Sequence, residues 1–133
     1  EWEYAAMGGN KSLGYQYSGS NNNGDVAWYD GNSGSKTHAV GTKQANELGI
    51  YDMSGNVSER CQDWDGSYNS SSQVNPTGAN SGSYRVIRGG SWSSIAWLCR
   101  SSFRGFNSPI ISSIFRSCGL DLDDLGLRLV LSE

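Results

Sequence analysis

The sequence is short of charge, of cysteine and of long apolar runs, and each shortage excludes something. Only 17% of its 133 residues are charged, and ten Lys and Arg against thirteen Asp and Glu leave a net charge of −3. Affinity for nucleic acid comes chiefly from neutralising phosphates. An acidic balance without a basic cluster therefore excludes nucleic acid as a partner. No apolar run approaches the roughly 18 residues needed to span a bilayer, so the chain has no transmembrane segment. Three cysteines, Cys61, Cys99 and Cys118, permit at most one disulfide and form no C-x-x-C metal pair. The single histidine, His38, has no companion nucleophile in a recognisable elbow, so it reads as a packing or surface residue rather than a triad member. No glycine loop carries the lysine of a phosphate cradle. No period of 20–50 residues repeats, which excludes solenoids.

What is present is glycine, serine and asparagine, 52 of the 133 residues, beside five Trp, seven Tyr and three Phe. So many aromatics argue against disorder, and the length fits one domain. The reading is a loop-rich α+β domain anchored by Trp2, Trp28 and Trp64. Residues 1–7, EWEYAAM, are good helix formers stopped by Gly8-Gly9-Asn10. Tyr15 and Tyr17 fall in an extended piece, residues 18–25 in a loop, and residues 26–29 in a strand. Residues 37–41 are extended, and residues 46–49 make a turn. The segment from Cys61 to Tyr68, CQDWDGSY, is polar and aromatic without helix signals and leads into a turn-rich loop that runs to Gly82. Residues 83–89, SYRVIRG, and residues 127–131, LRLVL, read as strands.

Two stretches carry candidate chemistry. In YDMSGNVSE, residues 51–59, Asp52 and Glu59 offer carboxylate oxygens, and Gly55 and Asn56 permit a turn that aims the carbonyls of Gly55 and Val57 at the same point. Flexible loops rich in oxygen suit Ca²⁺, and the competing reading is a plain turn with solvated carboxylates. The second stretch, residues 93–127, contains no Lys, Glu, Gln, Met, Tyr or Thr, and its Ile, Leu and Phe follow neither a period of 2 nor one of 3.6. Apolar residues without a period do not describe one buried face. Exposed together they would mark a binding surface, while a buried core segment is the competing reading.

Seven motifs in order resemble a known family: EWEYAAMGG, NELGIYDMSGNVSE, the dipeptide Asp63-Trp64, NPTG, YRVIRGGSW, CRSSFR and LGLRLV. The chain resembles the formylglycine-generating enzyme, or sulfatase-modifying factor, domain family, and the motifs span nearly its whole length. The resemblance implies an irregular C-type lectin fold with short antiparallel strands. Family members carry a further N-terminal half, so residues 1–133 correspond to the C-terminal portion of one such domain. It also implies a structural Ca²⁺ held by Asp52, Gly55, Val57 and Glu59. The departures concern the chemistry. Family enzymes carry their reactive cysteine pair just after the GGS motif, where this chain has Trp92-Ser93-Ser94-Ile95. Ser58 and Arg60 stand at tryptophan positions of the pattern, and Leu127 replaces its phenylalanine. Without the two thiols no copper is expected and no formylglycine-generating oxidase activity on sulfatase cysteines; catalytic residues are none.

The irregular tail is similar to the variable proteins of diversity-generating retroelements, non-catalytic members of this lectin-fold family, and most like those of the treponeme type. There, adenine-directed mutagenesis rewrites codons such as AAC. Changing its first two bases yields Ser, Ile, Leu, Phe, Gly, Asp or Cys, but never Lys, Glu, Gln, Met or Trp. Residues 93–127 contain the first group in abundance, and of the second only Trp97, which then belongs to the scaffold. The resemblance divides the chain into scaffold 1–92, candidate variable region 93–127 and closing strand 128–133. It makes Ser93, Ser94, Ile95, Leu98, Phe103, Gly105, Phe106, Ser108, Ile110, Ile111, Ser113, Ile114, Phe115 and Cys118 the ligand-binding positions. The implied role is a non-enzymatic display protein whose variable partner is a protein ligand, at the cell surface or outside the cell by analogy. An undiversified structural interaction domain is the plainer alternative. Cys61 and Cys99 can pair and leave Cys118 over, or all three thiols can stay reduced.

Overall fold

The structure, a computed structural model, describes residues 1–68, 70–72, 74, 78–107, 125, 126 and 128. Helix α1 covers Trp2–Ala6 and ends where the glycine pair allows, at Gly8 with φ +88°, followed by a 3-10 turn over Gly9–Lys11. A side chain at Gly8 would also collide with the Glu47 carboxylate, 2.8 Å from an added Cβ.

The expected loop at 18–25 contains a second short helix, α2, Asn23–Val26. The Asn22 side chain caps it by accepting the Gly24 N–H at 3.2 Å. Val26 therefore closes a helix rather than opening a strand, and the chain becomes extended only at Ala27. Of the stretch expected to be extended at 37–41, residues 37–39 form no regular element and residues 40–41 make a turn, with Gly41 at φ +72°.

Four strands form one sheet in the order β3-β2-β1-β4. Strand β1, Ser58–Trp64, runs from the end of the candidate ion loop into the segment that the sequence marks only by its lack of helix signals. It is a central strand, hydrogen-bonded antiparallel to β2, Arg85–Arg88, and parallel to β4, Leu125–Gly126. Backbone pairing on both sides holds it, and its polar side chains give no alternation to read. Three residues of β1 oppose one of β2 between the pairs Arg60↔Ile87 and Trp64↔Arg85, an irregularity that bends the strand. Strand β3, Gly105–Asn107, continues the antiparallel order on the far side of β2. The strand expected at 83–89 is β2. Strand β4 lies just before the strand expected at 127–131, of which only Arg128 is described, outside any strand; Leu127 and residues 129–133 lie outside the described residues.

The interior is small in hydrocarbon and large in hydrogen bonds. Tyr17, Val26, Ala27 and Cys99 form its apolar cluster, with Tyr29 packed against it. Ser18, Ser33, Asn46, Ser54, Asn56, Ser91 and Ser101 are buried with them. All but Ser101, whose Oγ finds no partner among the described residues, bond through these side chains, and Asn46, Ser54 and Ser33 staple backbones that are not paired in sheets. Asn46 donates to the Ala5 carbonyl at 2.8 Å and to Ser18 Oγ at 3.0 Å, and accepts from the amides of Leu48 and Ile50. Ser54 donates to the Cys99 carbonyl and accepts the Ser18 amide. Ser33 donates to the Trp92 carbonyl. Part of the serine and asparagine that resembles linker composition is therefore core.

Candidate functional site

Strand β2 and the loop after Gly90 enclose a cleft of about 280 Å³. Ser58, Ile87, Arg88, Gly90, Ser94, Leu98, Phe103, Gly105 and Phe106 line it. Five of these, Ser94, Leu98, Phe103, Gly105 and Phe106, are candidate ligand-binding positions that the sequence places in an irregular tail. Ile95, 49% exposed, and Phe106, 60% exposed, keep large apolar surface in solvent. Trp97, 47% exposed, stands edge-on to Phe103 with ring centroids 5.2 Å apart. The Arg100 guanidinium lies 5.1 Å from the Trp97 ring and donates to the Trp97 carbonyl at 3.0 Å. Trp97 is thus a half-open face of the same surface.

The loop is held from beneath. Arg88, buried, donates to the Phe103 carbonyl at 2.8 Å and to Glu3 Oε2 at 2.7 Å, which ties β2, α1 and the cleft loop together. Gly90 has φ +69°, and a Cβ there would lie 2.9 Å from Cys99 Sγ. A side chain at Gly105 would lie 2.9 Å from Ile87 Cγ1, so variation at that position must push Ile87 aside. Ser93 is exposed with its Oγ 3.1 Å from Ser91 Oγ. Ser94 Oγ accepts the Ser91 amide at 3.0 Å, and the Ser94 carbonyl accepts the Asp30 amide. Ser94 therefore serves the turn as well as the cleft. Ser108, Ile110, Ile111, Ser113, Ile114, Phe115 and Cys118 lie outside the described residues. Sequence reasoning missed Ser58, Ile87 and Arg88. The alternation of β2 could have revealed Ile87, but nothing in the sequence marks Arg88 as buried.

The loop over residues 52–59 has a different character. Asp52 (φ +57°), Gly55 (φ +73°) and Asn56 (φ +64°) are all left-handed. A Cβ on Gly55 would strike the Trp28 carbonyl oxygen. Asn56 is a hub: its amide donates to the Trp28 carbonyl, its carbonyl accepts the Trp92 amide, and its side chain brackets His38 through both backbone groups. Asp52 Oδ2 accepts the Gly41 amide at 2.7 Å. Glu59, buried, accepts Trp2 Nε1 at 2.7 Å and a two-pronged bond from Arg128, with Nη2 to Oε1 at 2.6 Å. Calcium bound at those same oxygens would sit against a guanidinium. As placed, Glu59 is taken up by Arg128 and Asp52 by the Gly41 amide, so the two carboxylates of the Asp52, Gly55, Val57 and Glu59 set do not fit an ion. Among the described residues no three His, Cys, Asp or Glu side chains gather where they could hold a metal.

Neither described cysteine is positioned for oxidation chemistry. Cys61 and Cys99 are both free thiols. Burial pushes the Cys99 thiol up to about 11 and raises Cys61 as well, which keeps both protonated at neutral pH. His38 stacks on Trp28 with centroids 3.8 Å apart, and its Nε2 lies 2.7 Å from the Ser33 carbonyl oxygen. Lys43 Nζ lies 4.1 Å from the Trp28 ring centroid. His38 is a packing residue.

The sulfatase-modifying factor enzyme 1-like domain model matches residues 1–131. A chaperone protein LppX from Paenibacillus barcinonensis is 40% identical over all of this chain and 47% of its own length. A formylglycine-generating enzyme from Streptomyces coelicolor is 32% identical over 85% of this chain and 41% of its own. Among solved structures, Treponema denticola variable protein 1 superposes with a TM-score of 0.79 at 40% identity, covering 96% of this chain and 43% of that one. The chain thus spans less than half the length of these relatives. With few helices and one short-stranded sheet, its mixed α+β architecture agrees with an irregular C-type lectin fold.

Proposed function

Since the chain belongs to the sulfatase-modifying factor enzyme 1-like domain family, we propose that it is a non-enzymatic member that displays the Leu98–Phe106 cleft to a protein ligand. The observation that carries this reading is convergence. Positions scattered without period through residues 94–106 line one apolar cleft, on a loop held by Arg88 and the Gly90 turn. Apolar surface that stays exposed in a folded monomer marks a binding site. Large rigid aromatics among small polar residues are what adaptable paratopes use. The likeness to a treponemal variable protein supports extending the role to retroelement diversification of residues 93–127. A display protein meets its target outside the cell, so the proposed location is extracellular or at the cell surface. No helix among the described residues is long and apolar enough to cross a membrane.

Family members include a formylglycine-generating enzyme, and that activity is the second reading. Against it stand the missing cysteine pair after Ser91 and the buried, protonated Cys99. Two experiments separate the readings. The coding DNA should carry a nearby near-repeat of the segment for residues 93–127 that differs at adenines; without one the diversification reading falls. Incubation with a sulfatase peptide, copper and oxygen should leave the peptide cysteine unchanged, and turnover would make the chain an oxidase.

A further inference from the structure

We propose that the loop over residues 51–59 is a cation site which the chain fills with its own Arg128, and that removing this guanidinium opens the site to calcium. The inference goes beyond the display role and does not depend on it. The Glu59 side chain is 7% exposed, and a carboxylate so buried needs a positive partner. Arg128 supplies one in the forked geometry that suits a carboxylate, with Nε at 2.9 Å from both oxygens and Nη2 at 2.6 Å from Oε1. The same Nη2 also donates to the Tyr51 carbonyl at 2.9 Å. One guanidinium thus collects two carboxylate oxygens and a main-chain carbonyl from opposite ends of one loop.

The loop is shaped for that purpose. Three left-handed residues among five, Asp52, Gly55 and Asn56, fold it so that Tyr51 and Glu59 face one positive charge. Left-handed aspartate and asparagine are uncommon and persist where the surroundings fix them. Carboxylate and carbonyl oxygens on a tightly turned loop are also the ligand chemistry of Ca²⁺. A free ion and a tethered guanidinium would compete for the same oxygens. The tethered one has the advantage, because β4, directly before Arg128, is already paired with Ser58 and Glu59 in the sheet. Loop and closing segment are therefore linked by a charge that the chain carries within itself.

Trp2 provides the reporter, since its indole N–H lies 2.7 Å from Glu59 Oε2 and can sensitise the luminescence of a bound terbium ion. The thermal midpoint of the wild-type chain should be the same in EDTA and in excess calcium chloride, and terbium should give no saturable emission. Arg128→Gln should melt lower, regain most of the loss when calcium is added, and show saturable terbium emission that Trp2→Phe or Glu59→Gln removes. Arg128→Lys, which keeps the charge, should melt between the two and ignore calcium. A wild-type midpoint that drops in EDTA overturns the proposal, as does saturable terbium binding to the wild-type chain. A folded Arg128→Gln chain that ignores calcium overturns it too. Should Arg128→Gln not fold in EDTA, calcium should restore folding, and failure to do so also refutes the substitution.

Discussion

Replacing Arg88 with methionine tests whether the cleft is built on a buried charge. Methionine keeps the aliphatic stem and removes the guanidinium. Two good hydrogen bonds are lost, to Glu3 at 2.7 Å and to the Phe103 carbonyl at 2.8 Å, and a longer one to Ser101 at 3.5 Å. Hydrogen bonds from charged groups contribute about 1.5–3 kcal/mol each, and breaking a buried pair by removing one partner costs about 3–5 kcal/mol. The Arg88 side chain is 9% exposed but Glu3 is 38% exposed, so water re-solvates much of the released carboxylate. The lower end applies, and the expected loss is about 3 kcal/mol. For a domain of this size that lowers the melting temperature by about 10 °C. Urea titration gives the free energy, and Glu3→Gln, which leaves the Phe103 bond intact, should cost about 1 kcal/mol. Amide exchange over residues 101–104 should quicken in Arg88→Met and not in Glu3→Gln, because only the former releases the loop. A loss under about 1 kcal/mol in Arg88→Met, or equal losses in the two variants, would refute a buried arginine as the floor of the cleft.

Three further outcomes follow from the same geometry. Asn56→Ala removes both side-chain bonds to the His38 backbone and places alanine at φ +64°, so it should cost about 2–4 kcal/mol by urea titration; a loss below about 1 kcal/mol would deny the hub. Phe106→Ala, at a 60% exposed site, should change the unfolding free energy by no more than about 0.5 kcal/mol, and a loss of core size would make Phe106 packing rather than display. Cys99 ionises in the native state only at about 11, against 9.0 for an ordinary thiol. The unfolded chain therefore releases that proton first, and the Cys99 contribution to stability is complete below pH 9.0 and is lost as pH rises through about 11. Thermal melts across that window should show the decline, and Cys99→Ala should flatten it.

Local signals that depend on backbone chemistry were legible in the sequence. The Gly8-Gly9 stop, the β-branched run of β2 and the tight turn at Gly55-Asn56 all appear where glycine, asparagine and valine demand them. Strand β1 was not legible, because a central strand with Arg60, Gln62 and Asp63 exposed takes its stability from neighbouring backbones. Helix α2 was hidden for a related reason: Asn22-Asn23-Gly24 reads as loop until the Asn22 cap is seen. At the candidate site, the lack of period in residues 93–107 was a true sign that no single face is buried. It could not show that Ser94, Leu98, Phe103, Gly105 and Phe106 meet around Ile87 and Arg88. The carboxylate of Glu59 illustrates the same limit. Spacing marked it as a calcium ligand, and only the folded chain brings Arg128 to it, 69 residues away.

The stapled interior has a thermal consequence. Unfolding gains heat capacity from newly hydrated apolar surface and loses it from newly hydrated polar surface, and the usual net is about 12–15 cal/mol/K per residue. Here the groups released from the described interior include Ser18, Ser33, Asn46, Ser54, Asn56, Ser91 and Ser101 beside the apolar Ala6, Tyr17, Val26, Ala27, Met53, Val86 and Cys99. For the described residues the net per residue should fall below that range, which would make the stability curve broad and shallow. A fold wired by directional bonds loses little when cooled, and keeps its geometry across a wider span of temperature than an oil-drop core of equal stability.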